Sequence, residues 1–177
     1  MGSVAAALVG GCGQPGTPSG PHLQGTLHVQ GDYDITTSFD TPAQADGTGG
    51  VGPLPDSASC SQYAKGFGTA GTFEVPQIDA VGDTTLYLTG GMTSGYSGPG
   101  TYSSASNPGL TGEAVVSTSG GQGPIFATYR SQRAGSSTLI VSADGSGKLT
   151  LTEWGSTETR GTNIAGALDG TLIWTCH

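Results

Sequence analysis

Positive charge is scarce in this chain: only 5 of 177 residues are Lys or Arg, against 13 Asp or Glu, for a formal net charge of -8. A surface of that sign repels nucleic-acid phosphates and anionic lipid headgroups, so nucleic acid is not expected as a partner. Charge of either sign is thin, at 10% of residues, and no Leu/Ala/Glu/Lys-rich stretch follows residue 10, which removes the material of long surface helices. Apolar runs are short as well. The run from Val4 to Val9 falls far below the ~20 apolar residues of a membrane-spanning helix.

In their place stand 33 glycines with abundant Ser and Thr, a turn-rich polar β composition of a length that suits one domain with a single core. From Tyr33 to Phe39 the residues alternate, with Tyr33, Ile35, Thr37 and Phe39 on one side and Asp34, Thr36 and Ser38 on the other, as in a half-buried strand. Leu27 and Val29 alternate in the same way just before it, and Gly31-Asp32 marks a tight hairpin turn between two antiparallel neighbours. Phe73 and Val75, then Leu86 and Leu88, repeat the pattern, and strands are expected at 114–118 and 125–130 around Gly120–Gly123. The plainest hairpin joins Leu139–Ala143 to Lys148–Thr152 through Asp144-Gly145-Ser146-Gly147, where the Asp-Gly pair supplies positive φ. A last strand, Gly170–Cys176, places Leu172, Trp174 and Cys176 on one face. About eight short strands with Gly-rich loops predict an all-β fold, an antiparallel β-sandwich or flattened barrel. Residues 41–58 and 90–112 are read as long loops, and 59–65 around Cys60 as a short helical turn.

The search for chemistry yields no catalytic residue, no cofactor motif and no metal site. Gly95-Tyr-Ser97-Gly-Pro99 lacks the final glycine and the strand-to-helix setting of a nucleophile elbow, and so reads as a turn. His22, His28 and His177 share no metal-ligand spacing. Asp32, Asp34 and Asp40 offer oxygen ligands to Ca²⁺ but lack an EF-hand pattern, and Glu74, Glu113, Glu153 and Glu158 stand in polar surroundings, as solvated carboxylates do. Arg130 and Arg133 read as solvated residues at a strand end. Tyr96 and Tyr102 flank a stiff Ser-Gly-Pro-Gly turn, and Trp154 stands beside a polar stretch running to Arg160. These three rings are the candidate binding surface for a protein or carbohydrate, the competing reading being that they fold back over the core.

The beginning of the chain carries the most specific signal. Leu8-Val9-Gly10-Gly11-Cys12 resembles a lipobox, in which small residues admit a signal peptidase and the cysteine sulfur receives a diacylglycerol. Residues 1–11 are then expected to be a truncated lipoprotein signal peptide, since no Lys or Arg precedes Cys12 and the natural start is expected upstream. Residues 12–21, rich in Gly, Pro, Ser and Thr, read as a flexible tether, and 22–177 as a single β domain. Lipidation of Cys12 accounts for one of three cysteines. It leaves Cys60 and Cys176 as a natural disulfide pair in an oxidising compartment, the alternative being two buried free thiols.

A Gly-Cys lipobox, a Gly/Pro/Ser/Thr tether, an acidic β domain and a cysteine almost at the end, in Ile173-Trp-Thr-Cys-His177, together are similar to small actinobacterial surface lipoproteins of the mycobacterial nineteen-kilodalton antigen type. The resemblance implies triacylation at Cys12, a Cys60–Cys176 disulfide and lipid-anchored display on the extracellular face of the cell membrane. It brings no catalytic residue. The expectation is therefore a non-enzymatic surface lipoprotein acting in adhesion, envelope organisation or partner binding. A carrier of a lipid or other apolar ligand would need a cavity inside the β structure, and a secreted hydrolase would need a cleft with ionisable groups in contact.

Overall fold

Alternating apolar and polar residues become strands wherever one face has a core to cover. The computed structural model describes residues 20–31, 33–47, 50–55, 57–66, 71–80, 84–120, 123–132, 134–160 and 166–177. Within them the elements follow as β1 (His22–Gly31), β2 (Ile35–Pro42), β3 (Gln44–Gly47), β4 (Gly50–Pro53), α1 (Cys60–Tyr63), β5 (Phe73–Glu74), β6 (Ile78–Ala80), β7 (Thr84–Met92), β8 (Gly100–Ser103), β9 (Leu110–Gly120), β10 (Gly123–Arg130), β11 (Ser136–Val141), β12 (Gly147–Arg160) and β13 (Ala167–Cys176).

The protein is all-β. One antiparallel sheet runs β2-β1-β13-β12-β10-β9-β7-β5, with β11 and β8 added beside β12 and with β6 beside β7. This sheet curls into a half-barrel and brings β6 against β2. It is a single curled sheet, as in the barrel alternative, with β3 and β4 forming a separate two-stranded ribbon.

Leu27 and Val29 of β1, Leu86 and Leu88 of β7, Leu149 of β12 and Trp174 of β13 point inward and are at most 1% exposed. Each such side chain contributes about 1.5–3 kcal/mol of burial free energy. The expected β1–β2 hairpin forms, with Val29 opposite Ile35 and Leu27 opposite Thr37. The β11–β12 hairpin forms too, and Gly145 takes φ +83° at its tip.

The curl has a local cause in β12. Its first half pairs with β11 as far as Thr152, and from Gly155 onward its partner on that edge is β10. Between Leu151 and Trp154 the register with β13 slips, and Glu153 sits at φ +52° with its N–H donating to Asp169 Oδ1 at 2.8 Å. A bulge of this kind adds twist and turns the strand toward a new neighbour. The stretch after Trp154, read from sequence as a polar loop, is thus the second half of a 14-residue strand.

Two other expectations are corrected. The 41–58 segment holds the β3–β4 ribbon, paired from Gln44–Pro53 to Gly47–Gly50. The 90–112 segment holds β8, the end of β7 and the start of β9. Glycine occupies many of these positions and leaves no side-chain alternation to read, although its backbone pairs as any other does. The short helix is as expected: Ser59 caps α1, with Gln62 N–H donating to Ser59 Oγ at 3.3 Å and Ser59 N–H donating to Gln62 Oε1 at 2.7 Å.

Candidate functional site

Two of the residues singled out by sequence, Cys60 and Cys176, meet at one end of the half-barrel. Cys60 opens α1, Cys176 ends β13, and their sulfurs are bonded with a Cα–Cα distance of 5.7 Å. The β11–β12 turn leans on this bridge. A Cβ on Gly145 would stand 2.7 Å from Cys60 O and 3.1 Å from Cys176 Cβ, so the close approach requires glycine. Trp174 Nε1 donates to Gly145 O at 2.8 Å and holds the turn from below. At the same end the main chains of His22 and His177 exchange both hydrogen bonds, at 2.9 and 3.0 Å. Cys12 and the preceding signal-like segment lie outside the described residues. β1 begins at His22, and the next residue, Leu23, lies opposite Cys176.

The three aromatic rings do not form an exposed surface. Tyr96 is 6% exposed, Tyr102 7% and Trp154 0%. A chain with few large apolar side chains needs its rings for the core, and each polar tip finds a partner inside. Tyr63, Phe73, Tyr96 and Tyr102 stack in succession with centroids 5.0, 4.7 and 5.1 Å apart. Tyr63 OH donates to Glu74 O at 2.7 Å, Tyr96 OH to Ala64 O, and Tyr102 OH to Gly98 O while accepting from Ser97 N–H at 3.1 Å. Trp154 Nε1 donates to Ser137 Oγ at 3.0 Å. The Ser97 segment is an irregular, bent connection between β7 and β8.

Burial raises the Tyr63 hydroxyl well above the usual phenol range, with Tyr96 and Glu74 adding to it, and burial followed by Tyr102 raises Tyr96. A phenol that resists ionisation in the folded state binds more protons there than in the unfolded chain. Stability is therefore full below the unfolded value of about 10 and falls as the pH rises above it. Urea midpoints should drop steeply between pH 9 and about pH 11, and a Tyr96→Phe variant should flatten that drop. An equal drop in the variant would refute the assignment to Tyr96.

The outer face is polar. A shallow open depression of about 570 Å³ lies across β2, β1 and β13, lined by Gln24, Thr26, Ser38, Asp40, Ile173 and Thr175. Ile173 is 48% exposed at its centre. A second, of about 300 Å³, lies over β7, β9 and β10, with Gly90, Gly91 and Gly112 as its floor and Glu74, Glu113 and Arg130 at its rim. Arg130 Nε is hydrogen-bonded to Glu113 Oε2 across the β9–β10 pair. Both side chains of this pair are partly exposed at the rim of the depression. Among the described residues the inward-facing apolar side chains form one packed cluster.

The histidines and aspartates face outward. His28 Nδ1 lies 2.8 Å from Thr36 Oγ1 and 3.9 Å from Asp34 Oδ1, and His22 Nδ1 lies 3.0 Å from Asp40 Oδ1. Asp34, just before β2, and Asp40, within it, are six residues apart, roughly 20 Å of extended chain, and so share no cation. Asp32 and Arg133 lie outside the described residues. Sequence inspection misses the His22–Asp40 link because only the β1–β2 register brings the two together. No helix among the described residues is long and apolar enough to cross a membrane. Comparisons with protein-family models, with curated proteins and with solved structures find no match for this chain, which leaves its own residues as the ground for a functional reading.

Proposed function

We propose that the chain is a non-enzymatic binding domain displayed on the outer face of a membrane and held there by acylation of Cys12. The observation that carries this reading is the bonded Cys60–Cys176 pair. It uses two of the three cysteines and belongs to an oxidising compartment, leaving Cys12 as the one thiol unspoken for, at the end of a small-residue apolar run. A net charge of -8 gives the domain no electrostatic hold on anionic lipid, so attachment falls to the acyl chains, of which more than one is needed for a stable anchor. Ten tether residues at 12–21 would set the domain off by about 17 Å. With the aromatic rings buried, recognition of a protein or glycan falls to hydroxyl and amide groups, and the outer face of β2, β1 and β13 presents them around Ile173.

Intact-mass analysis of the protein taken from its native membranes tests this. The expected species lacks residues 1–11, carries added acyl mass on Cys12 and gains the mass of two hydrogen atoms when thiol reduces its disulfide. A species bearing an unmodified Cys12 overturns the anchor, and one insensitive to reduction overturns the compartment.

A further inference from the structure

We propose that His22 and His177 form a two-imidazole site for a borderline divalent cation of the Zn²⁺ or Cu²⁺ type, with Asp40 orienting the ring of His22. The main chains of the two residues exchange both hydrogen bonds, which makes them direct partners at the end of the β1–β13 ladder. Residues paired in this way stand about 5.5 Å apart at Cα with their side chains on the same face. Which face is settled by their neighbours: Leu23 is fully buried, and Cys176 packs on the core and bonds Cys60. The two rings therefore stand side by side on the outside, where the His22 side chain is 32% exposed and His177 is exposed.

The tautomer follows from chemistry. A carboxylate only accepts, so the 3.0 Å contact between His22 Nδ1 and Asp40 Oδ1 places the ring proton on Nδ1 and leaves the Nε2 lone pair free. A carboxylate on the far nitrogen is the usual support of a metal-binding histidine, fixing the tautomer and raising its basicity. His28 lacks the opposed second ring, since its β13 partner is Thr171. No group of three or more His, Cys, Asp or Glu converges on a metal position among the described residues. The site thus offers two ring nitrogens, with water completing the coordination, and neutral imidazole favours Zn²⁺ or Cu²⁺ over Mg²⁺ or Ca²⁺. The acidic surface raises the local concentration of any cation.

The test is a Zn²⁺ titration of the full chain with its disulfide intact and Cys12 alkylated, followed through the ¹⁵N resonances of the histidine rings. One equivalent should shift His22 and His177 together and leave His28 in place. His22→Ala or His177→Ala should abolish saturable binding, Asp40→Ala should weaken it about tenfold or more, and His28→Ala should leave it unchanged. The proposal is overturned if the rings of His22 and His177 do not move together, or if either alanine variant binds as the parent does.

Discussion

Replacing Cys60 and Cys176 together by alanine lowers the unfolding free energy by about 4 kcal/mol, a large share of what holds a domain of this size. The bridge joins residues 116 apart in sequence, so in the unfolded chain it restricts most of the domain. The native structure adds a second effect. Helix α1 has four residues, too few to persist unaided, and it carries Tyr63, the first ring of the aromatic stack. Without the bridge, α1 is held by the Ser59 cap, by that stack and by the hydrogen bonds of Tyr63 OH to Glu74 O and of Tyr96 OH to Ala64 O. Urea unfolding should show a lower midpoint and a steeper denaturant dependence, because the open denatured chain exposes more surface. A double variant with the parent's midpoint would mean that the end of the half-barrel at α1 is fastened by something other than the bridge.

The second large effect is at Trp154. Its side chain is fully buried where β12 passes from one neighbour to the next, lies against Gly112 and is hydrogen-bonded to Ser137. Trp154→Ala should cost about 4 kcal/mol from lost burial and the void left behind. Trp154→Phe keeps most of the apolar volume but strands the Ser137 hydroxyl, and should cost about 2 kcal/mol. Thermal unfolding of the two variants checks the order. An exposed recognition residue would behave in the opposite way, changing partner binding while leaving stability within about 0.5 kcal/mol of the parent. Stable folding of Trp154→Ala would restore the ring to the surface.

Strands with one buried face were legible, because a core forces period-two alternation onto residues such as Leu27, Val29, Leu86, Leu88, Leu172 and Trp174. The Asp144-Gly145 turn was legible from its demand for positive φ. The β3–β4 ribbon and β8 were not, since each strand is only four residues long and too short to show a period. Nor was the second half of β12, because a bulge at Glu153 interrupts the alternation after Leu151. The pairing of Cys60 with Cys176 could be reached by counting. The side on which a ring faces could not: Tyr96 and Tyr102 sit in a segment that looks like an exposed loop, and only its packing on Phe73 carries them inward. The juxtaposition of His22, His177 and Asp40 depends on register across three strands, which no local pattern encodes.

The placement of β1 between β2 and β13 bears on how the protein is made. β1 cannot fill its second edge until the ten residues of β13, far along the chain, have been synthesised. Until then a nascent chain presents an open β edge to its neighbours, the kind of template on which aggregates grow. Closing the long loop between β1 and β13 is slow, so assembly is set by the arrival of β13 and not by the local hairpins. A stop codon placed before Ala167, which removes β13, should therefore give insoluble product even though the β1–β2 and β11–β12 hairpins are intact.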